Sequence, residues 1–369
     1  MAVKRTIGLL FGGRSGEHEV SLMSARSVVG ALDSERYNVV LIGMDHAGRW
    51  FTGDGILEAF ETGDLKSMDP VVLLPEPSDG WLYRRKADRA LERMVQIDVA
   101  FPVLHGTFGE DGTLQGLLEL ADVAYVGAGV LASAVAMDKV LFKSLMRAHK
   151  IPQVDFVALN SDTILSDVDK ALGEAEGLGG YPLFTKPSNL GSSVGVSKVQ
   201  SRSDLVEGLM EAAQYDRRVI VERGVEAREI EVSVLGNEEP EVSIAGEIVP
   251  GDEFYSYRAK YVDDTSVLSI PAPIDDVTMG EVRDVASRAY KAIDGAGMAR
   301  VDFLLEKATG RLFLNEINTI PGFTKISMYP KLWEASGLPY PELCDRLVEL
   351  GLSRKAQRDR LVRSYGGDE

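Results

Sequence analysis

Cysteine is nearly absent: Cys344 is the one thiol in the chain, which excludes a disulfide framework and fits a reducing compartment. Positive charge is short as well, with 40 Lys and Arg against 57 Asp and Glu and a net charge of −17. That balance argues against a protein that tracks nucleic-acid phosphates, although a local basic cleft is compatible with it. Long apolar runs are missing. The longest uncharged one, Val123–Met137, has 15 residues and is interrupted by Gly127, Gly129 and Ser133, whereas a bilayer span needs about 20. After Lys4-Arg5 the run Ile7–Phe11 falls short of a secretion-signal core of about 7–15 residues. No internal repeat or low-complexity tract is visible. What remains is a globular composition, 45% hydrophobic over 369 residues, enough for two or three domains. The expectation is a cytoplasmic multidomain protein with no membrane contact and no nucleic-acid partner.

Thr6–Phe11, Val39–Met44 and Ile97–Leu104 are apolar runs of strand length. Between the first two, Val20, Ser24, Ser27, Val28, Ala31 and Leu32 form one helical stripe, with Ser15 as the candidate N-cap. Strands spaced by helices predict a parallel sheet, with function at the strands' carboxyl ends, here Gly12–Ser21 and His105–Gly112. A second unit begins near Gly127–Gly129. It contains a helix over Met137–Lys150 and strands near Phe156–Ala158, Pro182–Lys186 and Val219–Val221, alternating with helices near Ser166–Leu178 and Ser203–Tyr215. A third opens with Glu229–Leu235, whose period-two pattern predicts an antiparallel strand covered on one face. Residues 251–269 are polar, aromatic and aperiodic, which suits a functional lid. The charged tail after Leu352 reads as a solvated helix end.

Arg300–Glu306 and Arg311–Asn318 flank a hairpin signal. A three-residue loop, Ala308-Thr309-Gly310, pairs Lys307 with Arg311 and sets Asp302 opposite Glu316, with Asn318 on the face of Glu316. Opposed carboxylates repel unless a cation lies between them, and two carboxylates with an amide oxygen suit Mg²⁺. The alternative is an exposed acidic face. Against it, Val301, Phe303, Leu305 and Phe313 on one side and Leu304, Leu312 and Leu314 on the other imply cover on both sides. A four-residue loop would shift the pairing.

Phe184–Gly195 is a strand end entering a Gly/Ser loop, which is either a phosphate cradle or an ordinary turn; it is not a Walker A sequence. Lys139 and Lys186 are placed to neutralise phosphate or to lie on the surface. Glu222 and Glu229 stand at strand ends as nucleotide contacts or surface acids. His105, at a predicted strand end, is open between structural and catalytic roles.

Taken together, residues 11–21 (FGGRSGEHEVS), 105–112 (HGTFGEDG), 137–139, 186–195 (KPSNLGSSVG), 259–261, 299–303 and 315–324 (NEINTIPGFT) resemble the D-alanine–D-alanine ligase family of ATP-grasp enzymes. The resemblance runs from Thr6 to Pro330. It implies an α/β protein of three α/β domains, an ATP-grasp fold with an N-terminal Rossmann-like domain: 1–128, 129–222, and 223–369 carrying the lid 251–269. It also implies ATP as co-substrate, Mg²⁺ or Mn²⁺ as cofactor, and a homodimer. By the same resemblance, Lys139, Lys186, Ser192, Ser193, Glu222, Glu229 and Lys260 would contact ATP, while Asp302, Glu316 and Asn318 would hold the ion. Glu17, His105, Gly322, Ser327 and Met328 would bind the two D-alanines. Arg300 would face the oxyanion, Lys260 and Tyr261 would ride on the lid, and Tyr261 would join Glu17 and Ser192 in a closing set. The rivals are a D-alanine–D-lactate ligase, a ligase for another amino acid, and a nucleotide-binding regulator without catalysis.

Overall fold

Three β-sheets and the helices packed on them organise residues 4–77, 80–191, 194–249 and 267–362, which the computed structural model describes. In the first sheet, Arg5–Gly12 pairs in parallel with Tyr37–Met44 on one side and Val99–Pro102 on the other. Its apolar alternation buries Ile7, Leu9 and Phe11 completely. Four antiparallel strands between residues 50 and 96 extend one edge. Leu91–Gln96 at that edge has no fully buried residue, so hydrophobic periodicity gave no signal for it.

The helix after the first strand spans His18–Val29 and stops at Gly30, short of the expected Leu32. Ser15 is not its cap. Glu17 holds that position, and the Ser15 hydroxyl accepts the Glu17 N–H at 3.1 Å while donating to the His105 carbonyl at 2.7 Å. The helix start is therefore tied to the end of a neighbouring strand.

Phe156–Asn160, Leu183–Pro187, Ser197–Val199 and Arg218–Arg223 form the second sheet, antiparallel throughout. One face, with Leu183, Val219 and Val221, packs on helices Val168–Glu176 and Arg202–Ala212. Period-two alternation turns Lys186, Ile220 and Glu222 to the opposite face.

In the third sheet Ala227–Leu235 pairs with Met298–Glu306 from Ala227–Glu306 to Leu235–Met298. Ile230, Val232, Val234, Val301 and Phe303 pack under helix Asp276–Ala292. The half-cover expected from the sequence does not hold: Glu231, Ser233 and Leu235 on the other face are buried too, and the Ser233 hydroxyl donates to the Tyr329 carbonyl at 3.0 Å.

The last helix, Tyr340–Asp359, crosses the expected domain order. Leu343, Cys344, Leu347 and Val348 complete the core around Ile7, Leu9 and Val99, so a segment assigned by position to residues 223–369 packs on the first unit. Its end is not merely solvated: Lys355 pairs with Asp122 at 3.1 Å, and Arg358 with the same carboxylate at 3.2 Å. Among the described residues no helix is long and apolar enough to cross a membrane.

Candidate active site

The hairpin reaches the expected pairing by an unexpected route. Glu306 and Arg311 are joined across residues 307–310, a loop one residue longer than expected, and the Gly310 N–H donates to the Glu306 carbonyl at 2.9 Å. Leu305 therefore faces Leu312 and Phe303 faces Leu314, which puts Leu312 and Leu314 on the buried face of Val301 rather than the opposite one. A bulge at Asn315 absorbs the extra residue. Beyond it Asp302 faces Glu316, Val301 faces Ile317, and Arg300 faces Asn318.

On the adjoining strand Glu231 faces Asp302, so Glu231, Asp302 and Glu316 form one row across three strands. Arg300 is the cation among them. Its Nε and Nη2 donate to the two Asp302 oxygens at 2.7 and 2.6 Å, and Glu231 Oε2 lies 3.0 Å from Nε. Asn318 donates its amide N–H to Asp302 Oδ2 at 3.0 Å. Among the described residues no group of three or more His, Cys, Asp or Glu is placed to hold an ion.

Facing this row, the open side of the second sheet holds a buried charge cluster. Glu222 lies 2.6 Å from Lys186 Nζ and 3.0 Å from Lys143 Nζ. Burial opposes the Glu222 charge, yet the two ammonium groups outweigh it and hold the carboxyl at about 2. Burial also works against Lys186, but Glu222, then Glu316 and Glu229, raise it. These acids from both sheets act on one lysine, which places Lys186, Glu222, Glu229 and Glu316 around a shared cleft. Lys139 begins the helix Lys139–Ala148, and its ammonium donates to the Leu190 carbonyl of the Gly-rich loop at 2.6 Å.

The first unit supplies the third wall. His105 Nδ1 lies 3.0 Å from the Ile320 carbonyl and Nε2 lies 2.9 Å from the Ser24 hydroxyl. A carbonyl only accepts, so Nδ1 carries the proton and Nε2 accepts from Ser24. Burial lowers the His105 pKa, with Glu17 opposing and Arg300 reinforcing, so the ring is neutral. Glu110 grips the same residue from its other side, accepting the Ile320 N–H at 3.0 Å and the Gly106 N–H at 2.9 Å. Burial and the Glu17 charge push Glu110 up to about 8. Glu17 reaches towards both glycine loops: a Cβ on Gly106 would lie 2.6 Å, and one on Gly191 3.5 Å, from its Oε2.

Past Gly322, Ser327 N-caps the helix Met328–Ala335 and accepts the Thr324 N–H at 3.1 Å. The Met328 side chain is buried with Ile248 and Leu332, which leaves its backbone as the part suited to a ligand. Ser192, Ser193, Lys260 and Tyr261 lie outside the described residues.

Residues 6–128 match the family model for the D-ala D-ala ligase N-terminus, and 145–349 the model for the D-ala D-ala ligase C-terminus. Curated D-alanine–D-alanine ligases of Heliobacterium modesticaldum and Thermoanaerobacter sp. strain X514 are 50% and 51% identical over 358 residues, covering 97% of this chain and 97% and 99% of theirs. The chain belongs to the D-alanine–D-alanine ligase family. Among solved structures, the D-alanine–D-alanine ligase of Coxiella burnetii is 38% identical with a TM-score of 0.85 over 98% of both chains. The VanG D-Ala:D-Ser ligase of Enterococcus faecalis is 34% identical with a TM-score of 0.84 over 95% of this chain and 100% of that one. The ATP-grasp fold with an N-terminal α/β domain, expected from the sequence, is the fold of this family.

Four residues of this ligase-family cleft escaped the sequence reading: Ser24, Glu110, Lys143 and Glu231. Ser24 lies on the helical stripe of His18–Val29 and Glu110 in a polar turn, and neither position by itself marks a site residue. Glu231 sits on the polar side of the Glu229–Leu235 alternation, a usable signal once its partner strand is known. Lys143 carried no signal, because a helical lysine is ordinarily solvated.

Proposed function

We propose that this chain joins two D-alanine molecules into D-alanyl-D-alanine at the expense of ATP, supplying a peptidoglycan precursor. The observation that carries this is the junction at Ile320. His105 and Glu110 of the first unit bond both polar groups of that residue, two positions beyond Asn318 of the charged hairpin. The junction sets a buried carboxylate–imidazole group beside a sheet face bearing acids and a guanidinium. Activating and joining small zwitterions calls for both.

In this reading Glu17 takes the ammonium of the first D-alanine, beside neutral His105. A carboxylate oxygen of that substrate attacks the γ-phosphorus of ATP, the bond to the β–γ bridging oxygen breaks, and an acyl phosphate and ADP result. Lys139, Lys186 and Lys260, with the loop hydroxyls of Ser192 and Ser193, balance the phosphate charge. Glu222 and Glu229 take the adenine and the ribose. The carboxylate of the second D-alanine rests at Gly322, Ser327 and the Met328 N–H, where a helix N-terminus favours an anion. Its amine loses a proton and attacks the acyl carbon, Arg300 faces the oxyanion, and collapse expels phosphate. Lys260 and Tyr261 on the lid keep water from the acyl phosphate.

The donor set fits a hard divalent cation: two carboxylates face each other on neighbouring strands, with an amide two residues on. Asp302, Glu316 and Asn318 would hold Mg²⁺ or Mn²⁺, which when bound neutralises charge on the transferring phosphoryl group. Arg300 takes both Asp302 oxygens here. Glu231 is the partner that would keep the guanidinium when Asp302 turns to an ion, and Asn318 would turn its amide oxygen inward.

The likeness to a D-Ala:D-Ser ligase makes the second substrate the point to test, while the 50–51% relatives favour D-alanine over D-lactate. The assay is coupled ADP release with D-alanine alone and with D-serine, L-alanine or D-lactate added, followed by product analysis. Dominant D-alanyl-D-alanine supports the proposal, and no D-alanine-dependent ADP release refutes it. A cytoplasmic homodimer completes the reading, with sedimentation as the check on its assembly.

A further inference from the structure

The cluster around Glu222 has one member that the ligation steps leave unused. Lys186 stands on the open sheet face beside the Gly-rich loop, with 17% of its side chain exposed. Lys143 has 2% exposed; among the described residues its ammonium lies 5.8 Å from the centre of the Phe156 ring and is held by Glu222 at 3.0 Å. Burial, then Lys186, opposes its charge. A buried ammonium in Coulombic reach of acids from both sheets is costly for a structural prop.

We propose that Lys143 is a positioning residue for the nucleotide base: it keeps the Glu222 carboxylate charged and in place when Lys186 moves to the ATP phosphates. This rests on the reading above, in which Glu222 meets the adenine. With both lysines the trio carries one net positive charge. Once Lys186 leaves, the Lys143–Glu222 pair is neutral, and the freed Oε2 accepts an N–H from the 6-amino group of adenine. Without Lys143 there are two outcomes. Either Lys186 stays on Glu222 and is lost to the phosphates, or Glu222 takes a proton. A protonated Glu222 offers an O–H, which suits the 6-carbonyl of guanine better than a 6-amino group.

The test compares wild type with Lys143→Met, using ADP or GDP release at saturating D-alanine together with calorimetric binding of ATP and GTP. The expected result is an ATP KM and Kd raised at least about tenfold, a smaller fall in kcat, and an ATP-over-GTP preference reduced about tenfold. Lys143→Arg should recover part of both. In a Glu222→Gln background, adding Lys143→Met should change ATP affinity less than about twofold, because the partner is already gone. Unchanged affinity and base preference, with only a lower melting temperature, would overturn the proposal and make Lys143 a structural residue. If Lys143→Met does not fold, Lys143→Arg and Glu222→Gln decide, and unchanged ATP affinity in both overturns it. Direct binding keeps the two readings apart. A wild type that prefers ATP yet makes no dipeptide sinks the ligase reading, while the binding data still decide for or against Lys143.

Discussion

Arg300 closes a fork on Asp302, with Nε 2.7 Å from Oδ1 and Nη2 2.6 Å from Oδ2. Glu231 holds the same guanidinium at 3.0 Å. If Asp302 serves an ion during turnover, Asp302→Asn lowers kcat by on the order of 10²–10³. The fold should survive, because Arg300 keeps Glu231; the expected drop in melting temperature is within about 4 °C. ADP release titrated with Mg²⁺, alongside thermal melts, measures both. Near-normal turnover defeats the ion assignment, and a collapse in melting temperature reassigns Asp302 to folding. Chelation of wild type should stop turnover, and added Mg²⁺ should restore it.

Gly106 is glycine for two reasons that reinforce each other. Its φ is +75°, and a Cβ there would lie 2.6 Å from Glu17 Oε2. Gly106→Ala therefore adds about 1–2 kcal/mol of backbone strain and pushes the Glu17 carboxylate aside. We expect the KM for the first D-alanine to rise about tenfold or more while the ATP Kd stays near wild type. Initial rates over a range of D-alanine, with ATP calorimetry, separate these effects. Loss of ATP affinity to the same degree would mean that the substitution had disturbed more than the Glu17 corner.

Glu110 and His105 give the folded chain pH dependences of opposite sign. Burial and Glu17 raise Glu110 from 4.5 to about 8, so between those values the folded chain keeps a proton that the unfolded chain has lost. That contribution to stability is full below about 4.5 and is lost as pH rises through about 8. Burial lowers His105 from 6.5, so its contribution is full above about 6.5 and is lost as pH falls through the folded value. Thermal melts of wild type minus Glu110→Gln should therefore slope downward with rising pH, and those of wild type minus His105→Gln upward on the acid side. Glu110→Gln should also cost about 1–3 kcal/mol, because its NH₂ meets a backbone N–H of Gly106 or Ile320. A flat difference curve for Glu110→Gln would show that it is charged like an ordinary surface acid.

What the sequence disclosed of this architecture follows a physical divide. Strand cores such as Thr6–Phe11 and Glu229–Leu235 were legible because burial writes itself into apolar periodicity, while the burial of Glu231 and Ser233 on the polar side of the second strand was not. The Asp302–Glu316 pairing was anticipated from a loop one residue too short and survives because of the bulge at Asn315. That bulge exists because Leu314 and Ile317, three apart, both belong to the core under Asp276–Ala292, a tertiary demand with no local signature. The same holds for Lys143, buried only because the second sheet closes over it, and for Tyr340–Asp359, whose apolar stripe does not say which sheet it covers. The edge strands between residues 50 and 96 were missed because short, part-exposed strands carry little alternation.

Ser24 is the least conspicuous group in the cleft, and its loss should be felt in the imidazole rather than in the fold. Its hydroxyl donates to His105 Nε2 at 2.9 Å and accepts the Phe323 N–H at 3.3 Å, so it joins the imidazole to the segment carrying Gly322. Ser24→Ala removes one net hydrogen bond, worth about 1 kcal/mol, and leaves Nε2 without its donor. The Nδ1–H bond to Ile320 still fixes one end of the ring, so the ring should stay in place with Nε2 easier to protonate. The ¹⁵N chemical shifts of His105 followed by NMR should then show a higher pKa in Ser24→Ala, together with a D-alanine KM that rises most at low pH. If the ring titrates as in wild type, Ser24 is only core, as its place on the helical stripe first suggested.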